Sequence, residues 1–152
     1  MTASFVKLDT FISFDRKHIL SRCQFNFTSV TIGDFDQITM TNTLVGSFED
    51  LIDRLSKYKS INCNLGNVHN RFTSFLEADI RNSCLPIGVE SFDGDLAAFF
   101  VIGDVDVMLL KPWGAKKISF ESISLAQYKN EIAVITSELV KQKNHLVQKL
   151  DC

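Results

Sequence analysis

Apolar and polar residues alternate along several stretches of this chain. Cys23, Phe25 and Phe27 fall on one side of an extended backbone and Gln24, Asn26 and Thr28 on the other. That two-residue period predicts a half-buried strand over residues 23–32. A less regular alternation over residues 5–14 predicts an earlier strand, and the polar run Asp15, Arg16, Lys17, His18 suits a hairpin connection between the two. Gly33, Asp34, Phe35 and Asp36 then read as a turn, because Gly and Asp supply the permissive backbone that turns need.

The period lengthens after Ser47. Phe48, Leu51, Ile52 and Leu55 draw one apolar stripe at helical spacing. Ser47 stands where an N-cap is expected, with Asp50 three residues on. Glu49, Asp50 and Asp53 would then lie near the positive end of the helix dipole, and Lys57 and Lys59 near its negative end. Residues 61–70, with Asn62, Asn64, Gly66, Asn67 and Asn70, read as a loop. Residues 72–80 fit either a short helix or a strand end. Three further strands are predicted over 96–102, 105–110 and 117–125, separated by Gly103-Asp104 and by residues 111–114. Tyr128, Ile132, Ile135, Leu139 and Leu146 form a closing helical stripe, expected to pack on the protein's own sheet. The pattern is α+β: an antiparallel meandering sheet of about five to six strands with two or three helices packed on it.

Composition narrows the class. The chain has 152 residues, 45% apolar and 22% charged, which predicts a single globular domain over 1–152 and argues against disorder. Thirteen Phe against one Trp and two Tyr fit a sheet-rich core. The longest apolar stretch, residues 96–110, is interrupted by Gly103, Asp104 and Asp106 and falls short of the roughly 20 residues that span a bilayer. No basic segment followed by an apolar one opens the chain, so a cytoplasmic protein with no membrane partner is expected. Cys23, Cys63, Cys84 and Cys152 form no C-x-x-C pair and are expected to be free thiols.

Charge is partitioned sharply within a net value of −2. Residues 34–53 carry Asp34, Asp36, Glu49, Asp50 and Asp53, and residues 82–110 carry Glu90, Asp93, Asp95, Asp104 and Asp106. Neither segment has a Lys or Arg. If the two meet, they make a face that attracts a basic partner and repels nucleic acid. The plainer reading is a set of solvated turns.

Three D-x-D pairs, Asp34/Asp36, Asp93/Asp95 and Asp104/Asp106, would each point two carboxylates one way from a strand. Each adjoins a Gly, as ordinary Asp-rich turns do. His18, His69 and His145 belong to no H-E-x-x-H. No G-x-S-x-G elbow and no glycine-rich nucleotide cradle is present. No enzyme activity, metal or cofactor is expected, although a D-x-D metal enzyme stays open as the least favoured reading.

The order of features supplies the functional lead. A strand runs into Ile32, Gly33, Asp34, Phe35 and Asp36; a helix follows over 48–55. Much later come Phe92, Asp93 and Gly94, a run of strands and a closing helix. Over residues 23–140 this resembles small bacterial immunity proteins that accompany polymorphic or contact-dependent growth-inhibition toxins, among them a family with a G-D-F-D-like turn and a later F-D-G. The resemblance implies a protein that binds and neutralises one cognate toxin domain and has no catalytic residues. On the charge pattern, the toxin would be basic, such as a nuclease, with no direct nucleic-acid contact by this chain. The candidate contacts are Asp34, Asp36, Glu49, Asp50, Asp53, Asp93, Asp95, Asp104 and Asp106. A small adaptor or chaperone-like domain is the alternative.

Overall fold

Two hairpins and three α-helices organise the described residues. The computed structural model describes residues 4–150, so Cys152 lies outside the described residues. The first hairpin pairs β1 (Val6–Ile12) with β2 (Ile19–Asn26), antiparallel from Val6 opposite Phe25 to Ile12 opposite Ile19. Two short strands, β3 (Thr31–Ile32) and β4 (Thr39–Met40), share the other edge of β2. The second hairpin pairs β6 (Leu96–Ile102) with β7 (Val105–Lys111). It is extended by β8 (Ser119–Glu121) on one side and by β5 (Ile61–Asn62), parallel, on the other. The α+β class therefore holds, with the strands divided between two four-stranded sheets.

The second sheet is buried on both faces, which explains the unbroken apolar run of β6. Ala97 and Phe99 face the main core, where Phe25 of β2, Phe48 of α1 (Thr41–Ser56) and Tyr128 of α3 (Leu125–Val147) meet them. Ala98 and Phe100 face the other way, against Val68, Phe72 and Leu76 of α2 (Val68–Ala78). Six of the thirteen Phe pack in or against the main core, and Phe72, Phe75 and Phe100 in or against the second; Phe25 lies 4.8 Å from Phe92 and 5.2 Å from Phe5, ring centre to ring centre. Such pairs add about 0.5–1.5 kcal/mol beyond their burial. The closing helix packs chiefly on α1 and on the first sheet.

Several elements differ from the sequence pattern. The strand expected over 23–32 is two: β2 ends at Asn26, Phe27 N donates to Val30 O (3.0 Å), and β3 returns. Ser47 is not an N-cap. Helix α1 begins six residues earlier, at Thr41, because Leu44 and Val45 extend the buried stripe of Phe48, Leu51 and Leu55 backwards. Burial of that stripe outweighs the poor helix propensity of Thr, Val and Gly. Residues 61–70 are not all loop, since they hold β5, a 3₁₀ turn and the start of α2. Residues 72–80 are helical as far as Ala78. The strand expected over 117–125 is confined to Ser119–Glu121, and Ser124 instead caps α3 in a reciprocal capping box with Gln127. Cys23, Cys63 and Cys84 are unpaired thiols.

Candidate functional site

The site forms where the turn after β3 docks on the segment before β6. Gly33 has a left-handed backbone (φ +95°), and a Cβ there would sit 3.0 Å from the Phe92 ring. Only glycine permits both the turn and the close approach. Asp34 N then donates to Ser91 O at 2.7 Å. The Asp34 carboxylate accepts from Asp36 N at 3.0 Å, an Asx turn that sets the loop.

Asp95 ties this contact to a third segment. One of its oxygens accepts from Gly33 N (2.9 Å) and the other from Trp113 N (2.8 Å). Burial pushes the Asp95 carboxyl up from its ordinary value, the two amide hydrogen bonds oppose that, and the nearby charges of Asp34 and Asp93 push it further up. Three of the nine candidate carboxylates, Asp34, Asp93 and Asp95, are thus close enough to feel one another. Asp36 stands beside them in the same turn. Trp113 itself is 77% exposed and lies across Gly94, which has φ +82°.

Beside these carboxylates is a cleft of 310 Å³ between residues 80–89 and 90–96. Leu85, Ile87, Val89 and Phe92 give it apolar walls; Glu90, Asp93 and Asp95 stand along it, and no Lys or Arg lines it. Ser83, also in its wall, is 3% exposed, and its hydroxyl has no hydrogen-bond partner among the described residues.

The wall is anchored to the core by groups far away in sequence. The Arg54 guanidinium, on a residue 8% exposed, donates to Ser83 O and to Leu85 O (2.9 Å). It also pairs with Asp50 at 2.9 Å. Ser47 Oγ donates to Ile87 O (2.9 Å) and Tyr128 Oη to Cys84 O, while Cys84 N donates to Ala97 O (2.9 Å). Burial pushes the Cys84 thiol up to about 12, so it is an inert packing group.

The remaining candidates lie elsewhere. Glu49 is exposed on α1. Asp50 is committed to Arg54 and to Arg81 (3.0 Å); burial raises its carboxyl, but those two hydrogen bonds and charges outweigh it and hold the group below its ordinary value. Asp53 pairs with Lys57 at 3.3 Å on an exposed helix face. Asp104 occupies the β6–β7 turn with φ +65°, beside Gly103 at φ +57°, and Asp106 lies in β7 opposite Val101. The whole of β6 separates them from Asp95, roughly 20 Å at about 3.3 Å per residue. The nine carboxylates therefore do not form one face. Among the described residues no group of three or more His, Cys, Asp or Glu is placed to hold a metal ion, and no helix is long and apolar enough to cross a membrane.

Sequence reasoning missed Arg54, Ser83 and Trp113. The Asp50–Arg54 spacing of four was a readable signal. Nothing local marks Ser83, whose setting is made by α1 and β6. Chemically, acceptor-only carboxylates beside an apolar trough favour a cationic group with an aliphatic stem. No protein-family model, curated protein or solved structure matches the chain.

Proposed function

We propose that this chain is an immunity protein that binds and neutralises a basic toxin domain inside the cell that makes it. The observation that carries the reading is the docking of residues 33–36 on residues 91–95, which gathers Asp34, Asp36, Asp93 and Asp95 from two segments without Lys or Arg. These are also the two turns on which the resemblance to toxin-immunity proteins rests. Lys7, held 4.1 Å above the Phe35 ring, bounds the acidic face on one side. A nuclease toxin needs a cationic groove for its substrate, and an acidic inhibitor competes for that groove while charge steers the two together.

The test is co-expression with the toxin domain encoded beside the gene, scored for growth, with a melting curve for each variant. Asp36→Lys with Asp93→Lys changes two exposed side chains and is expected to abolish protection at an unchanged melting temperature. Glu49→Lys on α1 is expected to protect fully. Failure of the wild-type chain to protect sinks the reading; protection by the double variant equal to wild type, with the same salt dependence of binding, shows that the acidic face is not the interface.

A further inference from the structure

We infer that the cleft beside Glu90 and Asp93 seats an arginine side chain of the partner protein; this rests on reading the acidic face as the partner surface. A cleft of 310 Å³, at the small end of the roughly 300–1,000 Å³ range of ligand pockets, has room for one long side chain. Leu85, Ile87, Val89 and Phe92 offer apolar contact to an aliphatic stem, and the carboxylates offer acceptors to its charged head.

The acceptors are open. The carboxylates of Glu90 and Asp93 make no hydrogen bond or ion pair with any described residue. Each Asp95 oxygen has accepted one amide proton and keeps a second lone pair. The Ser83 hydroxyl is buried in the wall without a hydrogen-bond partner among the described residues, a polar group whose isolation costs free energy. No Lys or Arg among the described residues lines the cleft.

Arginine fits this acceptor set better than lysine. Its planar fork presents five donors in fixed directions and can address separated oxygens together, whereas an ammonium is a compact, strongly hydrated point charge with three. Arginine is also among the residues that most often carry interface energy when lodged in a desolvated pocket.

Amide-resolved NMR titration of the ¹⁵N-labelled full chain with Nα-acetyl-arginine amide tests the idea. The lysine analogue and the uncharged citrulline analogue serve as controls. Saturable shifts at the amides of residues 83–96 are expected, with the lysine and citrulline probes weaker by about tenfold or more, a difference of about 1.4 kcal/mol. Glu90→Gln with Asp93→Asn is expected to weaken the arginine probe by a similar factor while leaving the rest of the spectrum in place. Shifts confined to other surfaces, or equal binding of citrulline, overturn the inference. Loss of arginine-probe binding in that double variant with full toxin protection retained overturns the inference that a partner arginine sits in the cleft and leaves the toxin-binding reading standing. A wild-type chain that binds the arginine probe at these amides yet gives no protection overturns the toxin-binding reading and leaves the arginine cleft standing.

Discussion

Residues 49–54 of α1 and residues 83–95 before β6 start from the same raw material, a run of carboxylates in a stretch poor in cations, and end in opposite states. On α1, Asp50 and Asp53 are each answered by a cation one helical turn on, Arg54 and Lys57, and Asp50 by Arg81 as well. Before β6, where Glu90–Phe92 form a 3₁₀ turn, the residues four on from Glu90 and Asp93 are Gly94 and Ala97, and no Lys or Arg stands nearby in sequence to answer either acid. Their partners would have to come from outside. The helix neutralises its own acids, and the loop leaves them available. Net charge per segment therefore says less about a binding surface than whether a cation stands within reach of each acid, one helical turn on in α1 and absent from 82–110.

The two regions are also coupled, because Arg54 both answers Asp50 and holds the cleft wall. Arg54→Ala breaks that coupling and carries the largest expected effect, a loss of about 2–5 kcal/mol, since it strands two buried carbonyls at about 1–3 kcal/mol each. Denaturant unfolding measures it; a loss below about 1 kcal/mol would mean the wall stands without the guanidinium. Asp95→Ala is next, at about 1–3 kcal/mol, because the amides of Gly33 and Trp113 lose their acceptor. An unchanged melting curve there would show that the three segments meet without their tie.

Gly94→Ala sharpens the contrast on the loop side. A Cβ at this position would stand 2.3 Å from Trp113 Cδ1, on a backbone that L-residues avoid. A cost of about 1–2 kcal/mol is expected from the backbone alone. Trp113 is the single tryptophan, so its displacement reads out directly as a shift in intrinsic fluorescence. On the helix side, Asp53→Ala is expected to cost less than about 0.5 kcal/mol, as exposed pairs do.

Acid titration separates the two regions by sign, with the smallest net effect because the signs oppose. Asp95 has a raised native value, so its folded form holds the proton more tightly; as pH falls from that value towards the ordinary 3.8, stability rises. Asp50 has a lowered native value, so its contribution is present above the ordinary 3.8 and is lost as pH falls through the native value. In denaturation curves across acid pH, Asp95→Ala should remove the gain and Asp50→Asn the loss. Identical pH profiles for both variants and wild type would contradict the assigned environments.

The sequence by itself determined what nearest neighbours decide. The alternation at Cys23 and Phe25, the stripe from Phe48 to Leu55 and the turn at Gly103-Asp104 were all legible. In each case the period of buried side chains, or a backbone with positive φ, is set within a few residues. With nothing local to set them above the other five candidate carboxylates, Asp34, Asp36, Asp93 and Asp95 are visible in the sequence as two of its three D-x-D pairs. Tertiary structure alone decided that they meet. It also moved the start of α1 back to Thr41, whose buried hydroxyl bonds Ser21 at 2.7 Å, and made β5 by lending two residues the edge of β6. It buried Arg54 against carbonyls some thirty residues away. These outcomes rest on contacts between segments remote in sequence, whose free energy comes from burial and from satisfying buried polar groups. Burial marks each element with its period, but which remote segments meet leaves no periodic mark on the chain.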